Sequence, residues 1–330
     1  MLGTCGRVSR KILMDIAKML LLLFAVSIIA FALVSASPVD PVQQYILGVG
    51  PVSEEQRVQL EEYWGVNDPP VQRYLHWLSA VLHGDLGESL LYRRPVAAII
   101  GERFLNSLAL MACAWCFAGL IGFSIGCIMG MHKDHLIDRI LKKICYLLSS
   151  VPTFWLGLLL LLVFSVWLGI FPLGFSTPIG SMNEDVTIWQ RIHHLILPAL
   201  TLSLMSFSSI ALHTRQKLID VMESEYVLFA RARGESSRTI LRRHGLRNIL
   251  LPALTLQFAS FAELFGGSVM AENIFSYPGL GSAVSAAGLN SDVPLLLGIT
   301  LFSALFVSVG NLIANLLYGV VDPQIREERP

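Results

Sequence analysis

A few side chains in this 330-residue chain sit where their types and spacing could do chemistry. Adjacent His193 and His194 offer two imidazoles to a metal ion, although neighbouring histidines in a loop are commonly just solvated. Cys113-x-x-Cys116 has the spacing of redox and metal sites. It has no companion pair, however, and its neighbours Ala112, Ala114 and Trp115 read as packing residues of an apolar helix. Glu263 interrupts an apolar stretch, where an ionisable group is costly and often functional. It either lines a polar path or, protonated, bonds a neighbouring helix; the glycines at 266 and 267 favour the path. Asn311 and Asn315, one turn apart, suit hydrogen bonds between helices, and Asn311 is the second candidate for a translocation path. His213 and His244 are read as structural. The densest cluster is basic: Arg231, Arg233, Arg238, Arg242, Arg243 and Arg247 lie within "EYVLFARARGESSRTILRRHGLRNILLP", residues 225–252.

No catalytic constellation accompanies these residues. H-E-x-x-H, G-x-S-x-G and paired carboxylates at the depth of the apolar segments are all missing. The phosphate-cradling G-x-x-x-x-G-K-[ST] is missing too, so no nucleotide, metal or other cofactor is expected on this chain. A formal net charge of zero argues against a partner made of nucleic acid.

The elements that must position these residues are membrane helices. Hydrophobic residues make up 54% of the chain and charged residues only 15%, against about a quarter in soluble domains. Crossing an apolar core takes about 20 helical residues. Six stretches qualify: 14–36, 106–131, 153–171, 196–216, 249–271 and 295–318. None alternates apolar and polar as a membrane strand would. With the N-terminus inside, eighteen of the 24 lysines and arginines fall on the cytoplasmic side, so both termini are expected there. The small residues of "VSASP" (34–38) suggest a signal-peptide cut, but the preceding run exceeds a 7–15-residue signal core and is expected to stay as a helix.

Between these spans the sequence organises as a short cytoplasmic start (1–13), the first span (14–36), an outer segment (37–105), a five-helix core (106–318) and a cytoplasmic tail (319–330). The outer segment carries two helix-compatible stretches, 53–65 and 71–84; in the second, Val71, Leu75, Leu78 and Leu82 share one side. They are expected to lie on the outer membrane surface. Ala114, Ala118, Gly122, Gly126 and Gly130 recur every fourth residue and form a groove for a closely packed helix.

The basic segment, with a loop over 217–248, reads as a helix–glycine–helix. Gly234 suits a left-handed C-terminal cap, Ser236 or Ser237 an N-terminal cap, and the chain re-enters the membrane at Pro252. Ala230 and Ala232 leave room for another surface to come close. An excess of inside charge accounts for the arginines but not for an ordered hinge, so a docking element is the better reading.

"ARARG" at 230–234 followed by "RRHGLRNILLP" at 242–252 resembles the cytoplasmic signature loop of ATP-binding-cassette import permeases, in particular the first permease subunit of the peptide and nickel branch. The general Glu-Ala-Ala positions are occupied by Leu228, Phe229 and Ala230, with Gly234 in register. Further resemblances run in order along the chain: Asp40-Pro41-Val42, with Val39 in place of a glycine; "GVNDPPVQRYLHWL" (65–78); "GDLGES" (84–89); Pro95-Val96; "SSVPTFWLG" (149–157); "LPALTLSL" (197–204); "ENIFSYPGLG" (272–281); Asp292; and "NLIANLLYGVVDPQIR" (311–326). In the last, Asn315 and Gln324 stand where aspartate and arginine are common.

The resemblance implies an all-α, polytopic permease of the type I importer (MetI-like) fold in a bacterial inner membrane. It implies a coupling loop, with Ala230, Arg231, Ala232, Gly234, Arg243 and Pro252 as its key positions, that docks on two separate ATPase subunits. ATP would be used by those partners, a second homologous permease would complete the pore, and an extracytoplasmic binding protein would deliver peptides or nickel-type metal complexes. The alternative is a stand-alone channel or secondary transporter, which would show inverted repeats or broken helices around a central site. No duplicated half is visible.

Overall fold

The computed structural model describes residues 2–36, 42–43, 46, 50, 52–64, 68–180 and 186–321. Expectations that fall on 37–41, on Gly65 and on the tail beyond residue 321 lie outside the described residues, as do those on the side chains of Cys5 and Asn315. Apart from an isolated bridge pairing Glu88 with Pro95, every regular element described is helical: α1 (Leu2–Ser35), α2 (Glu54–Trp64), α3 (Pro70–Leu82), α4 (Val96–Met131), α5 (Leu136–Ser150), α6 (Thr153–Leu160) with a π-helical extension (Leu161–Trp167), α7 (Ile188–Met222), α8 (Glu225–Ala232), α9 (Ser237–Ile240) with a π turn (Leu241–Gly245), α10 (Leu246–Ala259), α11 (Phe261–Ile274), α12 (Leu280–Leu289) and α13 (Val293–Val321).

Leu13–Ser35, Val96–Met131 and Val293–Ile313 are long and apolar enough to cross a bilayer straight. Three further candidates are bent: 109° between Leu136–Ser150 and Thr153–Trp167, 53° within Ile188–Met222, and 59° where Ser237–Ala259 meets Glu263–Ile274. The sequence shows these breaks and helix starts less plainly than it shows the apolar runs. Pro152 ends one helix and starts the next because a proline disfavours helix in the residue before it, here Val151 at ψ 130°. α7 opens with a reciprocal cap in which Gln190 N donates to Thr187 Oγ1 and Thr187 N to Gln190 Oε1, at 3.4 and 2.9 Å.

The chain forms two compact units. The first comprises Met1–Leu105 and Gly279–Val309. Its core joins Val96, Ile99 and Ile100 at the start of α4 to Leu280, Ala283 and Ala287 of α12 and to Leu295 and Ile299 of α13. Fully buried Asp292 ties it together, accepting from Ser89 Oγ (2.5 Å), Leu91 N (2.9 Å) and Leu295 N (3.2 Å). α3 meets α1 through its aromatic side chains, not through the aliphatic side that the sequence emphasises. Tyr74 and Trp77 each lie 5.5 Å from the Phe31 ring, and Tyr74 Oη shares a 2.8 Å hydrogen bond with Ser27. Val71, Leu75 and Leu82 stay exposed.

The second unit comprises Asn106–Pro278 and Gly310–Pro330. Its centre is the small-residue face of α4 against α7. Ala114 and Ala118 are buried, and a Cβ on Gly126 would lie 2.5 Å from Thr214 Cβ and 2.7 Å from the Ala211 carbonyl. Gly122 and Gly130 stand equally close to Ile210 and Leu218. The absent side chains let two long helices run backbone to backbone. α10 joins the same helix α4 by a reciprocal pair: Trp115 Nε1 donates to the Gln257 carbonyl at 3.0 Å and Gln257 Nε2 to the Trp115 carbonyl at 2.8 Å.

Candidate functional site

The basic segment folds as two helical arms around a glycine. α8 ends in a paired cap: Gly234 N donates to the Arg231 carbonyl at 2.9 Å and Glu235 N to the Ala230 carbonyl at 3.1 Å. This double closure requires a left-handed residue between the helix and Glu235, and Gly234 supplies it at φ +85°. Ser236 then starts α9, its hydroxyl accepting from Thr239 N.

One face of α8 is internal to the hairpin. Val227 and Ala230 are buried with Ile240 of the second arm, against Val221 and Met222 at the end of α7. Ala230 therefore packs within the hairpin and does not lie on its outer surface, which corrects the expectation that it leaves room for a partner. The outward face carries Leu228 at 67% and Phe229 at 75% exposure, with exposed Ala232 beside them. Arg231, Arg233, Arg238, Arg242, Arg243 and Arg247 are exposed elsewhere on the same segment. Exposed apolar side chains on a segment rich in exposed arginines suit a partner that offers an apolar groove and acidic groups.

The hairpin is continuous with the rest of the second unit. The π turn brings Gly245 over α7, where a Cβ would come within 2.9 Å of Leu241 and 3.4 Å of Leu218. Beyond it α10 continues as one helix through Pro252. Pro252 borders a cleft of about 310 Å³ together with His213 and Lys217 of α7. A second cleft, of about 200 Å³, lies beside Lys133, Glu223 and Arg231. There Lys133 donates to Glu223, and this hydrogen bond holds the ammonium above its ordinary pKa.

Two charged residues that the sequence reading passed over lock the helices carrying the hairpin. Arg215 on α7 makes a two-pronged contact with Asp138 on α5, Nε to Oδ1 at 2.6 Å and Nη2 to Oδ2 at 2.7 Å. Asp138 is fully buried and also accepts from Asp134 N at 2.9 Å. The available signal was acid among base: Asp134 and Asp138 both lie between Lys133 and Arg139, acids that a purely positive inside loop would not need.

The candidate path residues lie apart from the hairpin. Glu263 occupies the first turn of α11 and is exposed; Asn311 on α13 is exposed as well. Among the described residues neither makes a hydrogen bond or ion pair. Phe261 bridges their neighbourhoods, its ring lying 3.2 Å from where a Cβ on Gly310 would be. His193 and His194 lie in α7, not in a loop, and brace the preceding segment: His193 Nε2 donates to the Ile170 carbonyl at 2.9 Å and His194 Nδ1 to the Gly174 carbonyl at 2.8 Å. No cluster of three metal-ligating side chains occurs among the described residues. Cys113 and Cys116 are free thiols on α4.

Comparison with known proteins places these features. Residues 122–327 match the family model described as binding-protein-dependent transport system inner membrane component. The oligopeptide transport system permease protein AppB of Bacillus subtilis (strain 168) is 36% identical, covering 96% of this chain and 98% of its own. The dipeptide transport system permease protein DppB of Escherichia coli (strain K12) is 33% identical over 92% of this chain and 95% of its own. The glutathione transport system permease protein GsiC of the same strain is 35% identical over 92% of this chain and 94% of its own. A chain of the MetNI methionine ABC transporter, solved in an inward-facing conformation, shares the fold with a TM-score of 0.53, covering 68% of this chain and 97% of that one at 16% identity.

Proposed function

Because the chain belongs to the family of binding-protein-dependent transport system inner membrane components, we propose that it is a permease subunit of an ATP-driven importer that carries peptides through a bacterial inner membrane. The observation that carries this reading is the 225–252 hairpin: a preformed two-armed element, capped at both ends of its turn, presenting Leu228, Phe229 and Ala232 outward. Family membership and this surface together support docking on separate ATPase subunits, which use the ATP.

The geometry supports a mechanical role. A docked partner that moves Phe229 moves α8, and the buried Val227–Ala230–Ile240 core passes that displacement to the end of α7. α7 cannot slide independently, since Gly122, Gly126 and Gly130 of α4 lie against it and Asp138 of α5 grips Arg215. Close-packed helices transmit displacement because they have few intermediate arrangements. The hairpin is thus a handle on three helices at once.

A second, related permease would complete the pathway. Glu263 and Asn311 are exposed on this chain within apolar helices, and a carboxylate facing lipid is costly. A seam between two permeases gives both residues a polar setting, and an extracytoplasmic binding protein would supply the substrate to it. Of the expected cargoes, peptides are favoured over nickel-type complexes, because relatives over nearly the whole length are named for oligopeptide, dipeptide and glutathione transport. The positive charge of the hairpin favours both termini inside.

The test is purification of the tagged full-length chain from its native membrane. An ATPase and a sister permease should accompany it, and uptake of labelled di- to pentapeptides should stop when its gene is deleted. Peptide uptake that continues after loss of the ATPase would overturn the reading.

A further inference from the structure

Glu235, the residue directly after the turn glycine, is unusual for its surroundings. Its side chain is only 15% exposed although it lies in a solvent-facing hairpin. Arg233 Nη2 donates to its Oε1 at 2.8 Å, and Arg243 Nη1 stands 3.8 Å from the same oxygen. Its Oε2 is buried without a hydrogen bond, and so is His244 Nε2, 4.0 Å away. The His244 ring in turn lies 6.0 Å from the Tyr226 ring of α8, and Tyr226 Oη accepts from Asn248 Nδ2 at 3.0 Å. Arg233 closes the first arm, while Arg243 and His244 belong to the π turn of the second. A half-hidden carboxylate is tolerated only where cations compensate its lost hydration. Here the compensating groups come from both arms.

We propose that Glu235 is a positioning residue for coupling: its carboxylate staples the Gly234 turn to the π turn and so sets the angle at which α8 presents Phe229 to the ATPase. The inference rests on the docking role proposed for the hairpin. The cap at Gly234 fixes only the end of α8, and the Val227–Ala230–Ile240 contact is apolar and without direction. Among the described residues, the polar contacts from Glu235 to the second arm are its ion-pair approaches to Arg243 at 3.8 Å and His244 at 4.0 Å, beside the hydrogen bond between Tyr226 and Asn248.

The experiment uses the full chain expressed with its operon partners, carrying the photo-crosslinker p-benzoylphenylalanine at Phe229, and separately a spin label at Ala232. Glu235→Lys should reduce crosslinking to the ATPase at least fivefold at unchanged membrane level and sharpen the spin-label spectrum. Adding Arg243→Glu should restore both, because the staple is rebuilt with its charges exchanged. Glu235→Gln should fall between, and salt should narrow its difference from the unaltered chain. Equal crosslinking and equal spectra across all variants would overturn the staple and leave docking intact. No ATPase crosslink from the unaltered chain would instead sink the docking reading, and the charge-exchange rescue of the spin-label spectrum would then decide the staple alone.

Discussion

Arg215 and Asp138 face each other across the α5–α7 contact with both guanidinium prongs engaged, and the carboxylate is wholly removed from solvent. A planar two-pronged contact fixes orientation as well as distance. It therefore holds α5 to the helix that carries the hairpin.

Removing one partner strands the other. Arg215→Ala is expected to destabilise the chain by about 3–5 kcal/mol, since it leaves a buried unpaired carboxylate. Replacing both residues with apolar ones, Asp138→Leu with Arg215→Met, is expected to cost much less. Thermal unfolding of the purified chain in detergent checks this, and equal losses in the single and double variants would contradict it.

Gly126 tests the helix groove. Gly126→Val would push Cβ into Thr214 and the Ala211 carbonyl, and α4 and α7 would have to separate. The expected loss is about 1–3 kcal/mol, with reduced transport. Gly266→Ala, where a Cβ meets nothing within 4 Å, is the matched control and should leave stability nearly unchanged.

The two alanines of the hairpin should separate folding from docking. Ala230→Glu places a carboxylate in the Val227–Ile240 core, and trypsin should then cut the hairpin faster. Ala232→Glu changes only an exposed position. It should leave proteolysis unaltered while weakening ATPase recovery in pull-downs.

At Gly234 the backbone decides the outcome. Gly234→Val forces a β-branched residue to φ +85° and is expected to cost about 1–2 kcal/mol through loss of the cap. Gly234→Asn, whose side chain tolerates that region, should retain most of the uptake. Peptide uptake in complemented cells reads the order Gly, Asn, Val.

Much of this molecule is legible residue by residue. Apolar runs of span length, the four-residue repeat from Ala114 to Gly130 and the glycine in register after Leu228-Phe229-Ala230 are local patterns. Local chemistry enforces them: a span must satisfy its own backbone bonds, a close contact needs small side chains, and a left-handed cap needs glycine. The same locality explains Ser236 at the start of the second arm.

Pairings between distant residues belong to the tertiary structure. Nothing adjacent to Asp138 shows that its partner is Arg215, 77 positions away, or that Gln257 answers Trp115 at a separation of 142. Ala230 and Ala232 look alike in sequence, yet one is buried and the other exposed, because the hairpin folds back on Ile240. Periodicity records that a face will be covered but not by which helix. That choice is made by packing across the whole chain, where each buried polar group must find its complement.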